Sequence, residues 1–139
     1  MKILIAEDDF INRRFLVKFF SQYGECDLVV NGEEAVSAFM FAIEEDEPYD
    51  LICLDIMMPK LDGLKALKMI NSIEKDKSIN KEELSKKFVI TALDNVKDVQ
   101  KAFELGCEVY VAKPIDTAKL IEVMRKLKFD INIHEGDTL

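Results

Sequence analysis

The 139-residue chain has a single histidine, His134, and only three cysteines, Cys26, Cys53 and Cys107, at no paired spacing. That inventory excludes a Cys/His zinc site on ligand count and supplies no disulfide framework. Cys53 lies inside an apolar run and Cys26 and Cys107 stand near the starts of others, so all three read as small buried hydrophobes. Long apolar runs are missing too. A membrane-crossing helix needs about 18 or more apolar residues in succession, and the longest candidate, residues 35–43, is broken by Ser37. Positive charge is in deficit: 19 Lys and Arg against 27 Asp and Glu leave a net charge of −8. Neutralising phosphates takes clustered Lys and Arg, so neither nucleic acid nor membrane is an expected partner. The opening Met1-Lys2-Ile3-Leu4-Ile5 runs straight into acids without a small-residue cleavage site, and the expectation is a mature cytoplasmic protein.

What is present suits one globular domain. At 49% hydrophobic and 33% charged, the chain can bury a core and keep a solvated shell. Five short runs rich in Ile, Val and Leu recur at residues 2–6, 26–30, 51–54, 88–91 and 108–112, each followed by a longer amphipathic stretch. Near-continuous apolar strands alternating with helices imply a parallel sheet covered on both faces. The helical stripes are Ile11, Phe15, Phe19 and Tyr23; Ala35, Phe39 and Ala42; Leu64, Leu67 and Ile70; Val96, Val99 and Phe103; and Leu120, Met124 and Leu127. All are assigned to core. Gly24, Gly32, Gly63 and Gly106, with Pro48, Pro59 and Pro114, punctuate the junctions. The fold class is therefore α/β: a doubly wound five-stranded parallel sheet of order 2-1-3-4-5 with five helices, a flavodoxin-like three-layer sandwich. Residues 71–87 are dominated by Lys, Glu, Asp, Ser and Asn and read as a solvated extension of the third helix with its loop. Residues 1–128 are assigned to this domain and 129–139 to a frayed tail.

In an open parallel sheet, ligands sit beyond the carboxyl ends of the strands. There the sequence places Glu7, Asp8 and Asp9 after the first strand, Asp55 after the third, Thr91 ending the fourth, and Lys113-Pro114 after the fifth. Asp8 or Asp9 can cap the first helix. Asp55 has no such task, because it ends a fully apolar strand and precedes Ile56-Met57-Met58. If the first and third strands are neighbours, Glu7, Asp8 and Asp55 share one cleft. Two carboxylates about 4 Å apart repel by roughly 4 kcal/mol at an effective dielectric of 20. Such a cluster persists only with a raised pKa, a nearby cation or a bound metal. Oxygen-only ligands select a hard ion, and Mg²⁺ is the abundant one. Lys113 and Thr91 suit the oxygens of a phosphoryl group held beside it.

Over nearly its whole length, the chain resembles the receiver domains of two-component response regulators, the CheY-like superfamily. The residues that carry the likeness are Glu7-Asp8, Asp55, Pro59, Gly63, Thr91, Tyr110 and Lys113-Pro114. The resemblance implies that Asp55 accepts a phosphoryl group from a phosphohistidine on a sensor histidine kinase or histidine phosphotransfer protein, and that Mg²⁺ is required. By the same resemblance, Asp8 and Asp55 ligate the ion directly, Glu7 acts through water, and the backbone carbonyl of Met57 completes the protein ligands. Thr91 bonds the new phosphoryl group, Lys113 pairs with it, and the Lys113-Pro114 bond is cis. Tyr110 swings inward as Thr91 moves, changing the surface of the fourth helix, fifth strand and fifth helix for a downstream target protein. Pro59 and Gly63 shape the loop after the third strand. Such a domain is a phosphoacceptor for signalling and promotes only its own phosphotransfer and dephosphorylation. Apolar Met57 and Leu93 beside the site lead to the expectation of slow dephosphorylation. The Met1 start and short tail lead to that of a free-standing protein, monomeric or dimeric on phosphorylation.

Three other readings compete. A metal-dependent phosphatase on a similar sheet needs a second acid two residues after the nucleophile, where this chain has Met57. A flavodoxin-like FMN binder needs a phosphate cradle after the first strand, where three acids stand instead. A receiver-like scaffold that binds partners without being phosphorylated has no reason to keep the full set of site residue types.

Overall fold

The structure is a computed structural model, and it describes residues 1–92 and 96–129. In chain order the elements are β1 (Lys2–Ala6), α1 (Phe10–Phe20), β2 (Glu25–Val29), α2 (Gly32–Glu44), β3 (Leu51–Asp55), α3 (Gly63–Asp76), a 3₁₀ turn at Lys81–Glu83, β4 (Lys86–Thr91), α4 (Val96–Glu104), β5 (Val109–Ala112) and α5 (Thr117–Lys126). All the pairings are parallel, in the order β2-β1-β3-β4-β5. This is the doubly wound order read from the sequence.

Strand alternation divides the core. Ile3 and Ile5 of β1 face one layer with Leu16, Phe19 and Phe20 of α1 and Leu120 and Met124 of α5. Leu4 and Ala6 face the other with Ala35 and Phe39 of α2 and Leu67 and Ile70 of α3. Successive side chains of a strand point to opposite faces, so a central strand covered by helices on both sides must be apolar at every position. β1 and β3 sit side by side at the centre, with Ile5 opposite Cys53 and Ala6 opposite Leu54. Their carboxyl ends therefore open onto the same edge. Helices enter through side-chain caps: Asp9, Asn31, Asp62 and Asp116 each accept a backbone N–H three residues on.

Several local expectations change. Ile11 lies on the solvent side of α1, 74% exposed, because Leu16, Phe19 and Phe20 form the buried stripe instead. Val96 and Phe103 are likewise exposed, and α4 buries Ala102. The second strand begins one residue earlier than expected, and the fourth extends back to Lys86. The polar segment 71–87 is not wholly solvated. Glu74, Ser85 and Lys87 are buried, with Lys87 Nζ paired to Glu74 and donating to the Ser85 carbonyl at 2.8 Å. Phe129 packs against the core, and the Lys86 ammonium lies 4.4 Å from its ring centre. The expected frayed tail beyond it lies outside the described residues. Among the described residues no helix is long and apolar enough to cross a membrane.

Candidate functional site

The cleft forms where the chain leaves β1 and β3. Glu7 follows β1 directly, and its backbone N–H continues the sheet to the Val29 carbonyl at 3.1 Å. Asp55 is the last residue of β3 and is paired in register with Ile90. The loop after it turns back closely: the Gly63 N–H donates to the Ile56 carbonyl at 2.9 Å. A Cβ at Gly63 would stand 2.3 Å from the Asp55 carbonyl oxygen, so only glycine lets α3 start this near the acid.

Carboxylate oxygens of Glu7, Asp8 and Asp55 lie within 4.8 Å of one another. Glu7 and Asp55 are buried, whereas Asp8 is exposed at the mouth. Lys113, delivered by the loop after β5, donates to Asp55 Oδ2 at 3.1 Å and stands 3.8 Å from Glu7 Oε1. The Met57 N–H donates to Asp55 Oδ1 at 3.1 Å, and the Met57 side chain is 65% exposed. Thr91 is buried at the end of β4, and its hydroxyl reaches the Ala92 carbonyl at 3.3 Å. The Lys113-Pro114 peptide bond is cis. Tyr110 stands outside the cleft on edge strand β5, 46% exposed and edge-on to Phe103. Pro59 and Lys60 lie in the turn ahead of α3, with Lys60 at φ 65°. Leu93 lies outside the described residues.

Charge in the cleft is unbalanced. Burial first, and then the side chain of Asp55, push the Glu7 carboxyl up to about 8. Its Oε1 has no hydrogen-bond partner, while its Oε2 accepts the Asp9 N–H at 3.2 Å. Burial works against the Lys113 ammonium, but Asp55, Glu7 and Asp8 together outweigh it and raise its pKa. An orphaned buried carboxylate oxygen beside two further carboxylates, with oxygen donors alone, fits a hard divalent cation.

Two cations that the sequence did not single out shape this edge. Arg13 Nη1, one turn into α1, donates to the carbonyls of Glu7 at 3.0 Å and Asp8 at 3.3 Å. Lys119, one turn into α5, donates to the carbonyls of Ala112 and Pro114. Both follow an Asp N-cap by three or four residues, a spacing that brings a long cationic side chain back over the preceding loop. Asp9, outside the acidic pair, caps α1 through Asn12 N–H at 2.8 Å.

The sequence and the fold are similar to those of known proteins. The chain is 32% identical over 127 residues to the transcriptional regulatory protein PcoR of Escherichia coli, covering 91% of this chain and 50% of that one. It spans about half or less of the length of the curated relatives it matches. A chain of the CheX-CheY-BeF3-Mg²⁺ complex from Borrelia burgdorferi superposes with a TM-score of 0.75 at 27% identity, over 90% of this chain and 87% of that one. A chain of the complex between the Saccharomyces cerevisiae histidine phosphotransfer protein Ypd1 and the receiver domain of the response regulator Ssk1 does so with a TM-score of 0.73 at 29% identity, covering 92% of each. A profile described as the response regulator receiver domain matches residues 3–125. That span runs from β1 into α5 and takes in every strand that delivers a side chain to the cleft; the chain belongs to the response regulator receiver domain family of two-component signalling.

Proposed function

We propose that Asp55 is the phosphoacceptor and that the chain signals by the state of this one carboxylate. The observation that carries the reading is the meeting of three carboxylates within 4.8 Å, one of them bonded to Lys113. A carboxylate oxygen of Asp55 attacks phosphorus, the bond from phosphorus to the donor's imidazole nitrogen breaks, and an acyl phosphate forms. Asp55 is a weak nucleophile, but phosphohistidine is a reactive donor, so the protein mainly aligns the two and neutralises charge. Lys113 supplies part of that neutralisation, and Thr91 offers a hydroxyl to the new phosphoryl oxygens. Asp8 and Asp55, Glu7 through water and the Met57 carbonyl would hold Mg²⁺. Bound there, the ion adds Lewis-acid charge stabilisation.

The donor is a sensor histidine kinase or a histidine phosphotransfer protein, as in the yeast complex that the fold resembles. Phosphorylation adds about one to two negative charges and three acceptor oxygens. Thr91 closing on them vacates space for Tyr110, and the surface of α4, β5 and α5 shifts between two packed arrangements. That surface then signals to a partner protein, or the phosphoryl group is relayed onward. Residues 1–128 make up the receiver. The exposed, apolar Met57 side chain cannot orient an attacking water, so the acyl phosphate of the isolated protein decays over minutes or longer. A half-life of seconds in a radiolabel chase contradicts this.

Incubation with acetyl phosphate, followed by intact mass, tests the assignment. One added phosphoryl group is expected with Mg²⁺, none in EDTA, and none in Asp55→Asn. Undiminished uptake by that variant, or uptake without metal, favours a scaffold that binds partners unphosphorylated.

A further inference from the structure

Lys113 needs a fixed root. Its side chain carries four methylenes, so where its ammonium sits depends on the direction in which the backbone leaves β5. One neighbour governs that direction on both sides. Lys119 Nζ donates to the carbonyl of Ala112 at 3.1 Å and to that of Pro114 at 2.7 Å, the residues immediately before and after Lys113. The base of this clamp is itself anchored, because the Lys119 backbone N–H donates to the capping Asp116 Oδ1 at 2.8 Å. From within the sheet, the Lys113 N–H donates to the Thr91 carbonyl at 2.9 Å. The peptide groups around Lys113 are thus held from β4 and from α5. Hydrogen bonds from an ammonium are about twice as strong as neutral ones, and two bonds from one atom fix an orientation that a single bond leaves free to rotate.

We propose that Lys119 is a positioning residue for phosphoryl transfer: it clamps the β5–α5 loop so that the Lys113 ammonium meets Asp55. The proposal rests on the phosphoacceptor reading above. Lys119 touches neither Asp55 nor any member of the acid cluster in the hydrogen bonds it makes, so its influence passes through Lys113. A residue that merely stabilised α5 through its cap would alter melting and leave the transfer rate alone.

The rate of phosphoryl uptake from acetyl phosphate at saturating Mg²⁺, read by intact mass on the full chain, separates these roles. Lys119→Met is expected to slow uptake about three- to tenfold, the scale of a small misplacement at a reacting centre. Its Mg²⁺ affinity, followed by calorimetry, stays within about twofold of the wild type because the acid cluster is untouched. Lys119→Arg keeps a two-donor cation and recovers most of the rate. In a Lys113→Met background, the second substitution produces no further slowing. Lys119→Gln, polar but too short to reach both carbonyls, repeats the measurement should Lys119→Met unfold. Wild-type rates in Lys119→Met or Lys119→Gln overturn the role, as does further slowing in the Lys113→Met background or a loss of Mg²⁺ affinity matching the loss of rate. A wild-type chain that takes up no phosphoryl group overturns the phosphoacceptor reading, and this role with it.

Discussion

Gly63 brings no functional group to the cleft, yet it has the tightest geometry there. A Cβ at this position would press 2.3 Å from the Asp55 carbonyl oxygen, and backbone cannot yield as a flexible side chain does. Gly63→Ala is expected to destabilise the fold by about 1–3 kcal/mol in urea titration, the usual range for overpacking a rigid contact. Because the strain falls on Asp55, phosphoryl uptake should slow as well; unchanged stability would remove the close-approach argument. The acids Glu7, Asp8 and Asp55 were legible in the sequence because each stands at the carboxyl end of an apolar run, Glu7 and Asp8 just after β1 and Asp55 as the last residue of β3. Arg13 and Lys119 were not. Their partners are main-chain carbonyls, and a sequence does not mark which carbonyls a helix brings within reach.

Elements meet through a second buried polar contact away from the cleft. Lys87 on β4 pairs with Glu74 on α3, and Glu74 also accepts the Ser85 N–H at 3.0 Å. The Ser85 hydroxyl in turn donates to the Tyr49 carbonyl just before β3. This network ties the polar segment after α3 to the sheet. Removing one buried charge strands the other, so Lys87→Ala or Glu74→Ala alone is expected to cost about 3–5 kcal/mol. The pair Lys87→Met with Glu74→Leu should recover most of that, because apolar groups of similar size need no partner. Urea midpoints of the three variants decide it, and additive losses in the double variant would mean that the pair is not coupled. Composition alone marked 71–87 as solvated, because it records charge and not whether opposite charges face each other across two elements. Ile11 was misplaced for a related reason: two overlapping stripes on α1 fit the helical period, and only the position of the sheet selects Leu16, Phe19 and Phe20.

For the whole molecule, the buried Glu7 carboxyl makes stability depend on pH. Glu7 has a pKa near 8 in the fold against 4.5 ordinarily. A carboxyl raised in this way stabilises the fold fully below its unfolded pKa, and that contribution is lost as pH rises through the folded value. The window therefore runs from about 4.5 to about 8 for the metal-free protein. Mg²⁺ held by this cluster would need the ionised carboxylates, so its stabilisation would move in the opposite direction across the same window. The rise in Tm on adding Mg²⁺ is expected to be larger at about pH 8.5 than at about pH 6, and Glu7→Gln should flatten the difference. Equal rises in the wild type at both values would disconnect Glu7 from the ion.

The order of strands and helices and the acids at the strand ends were set by local sequence: apolar runs of strand length, helical periods and polar residues after them. These depend on the residues themselves and on neighbours a few positions away. Tertiary structure alone decided that Lys113 bonds an aspartate 58 residues earlier, that Glu7 is starved of solvent, and that Lys87 finds Glu74 inside the fold. Electrostatic strength depends on separation and on exclusion of water, and both are properties of packed elements rather than of the order of residues along a chain.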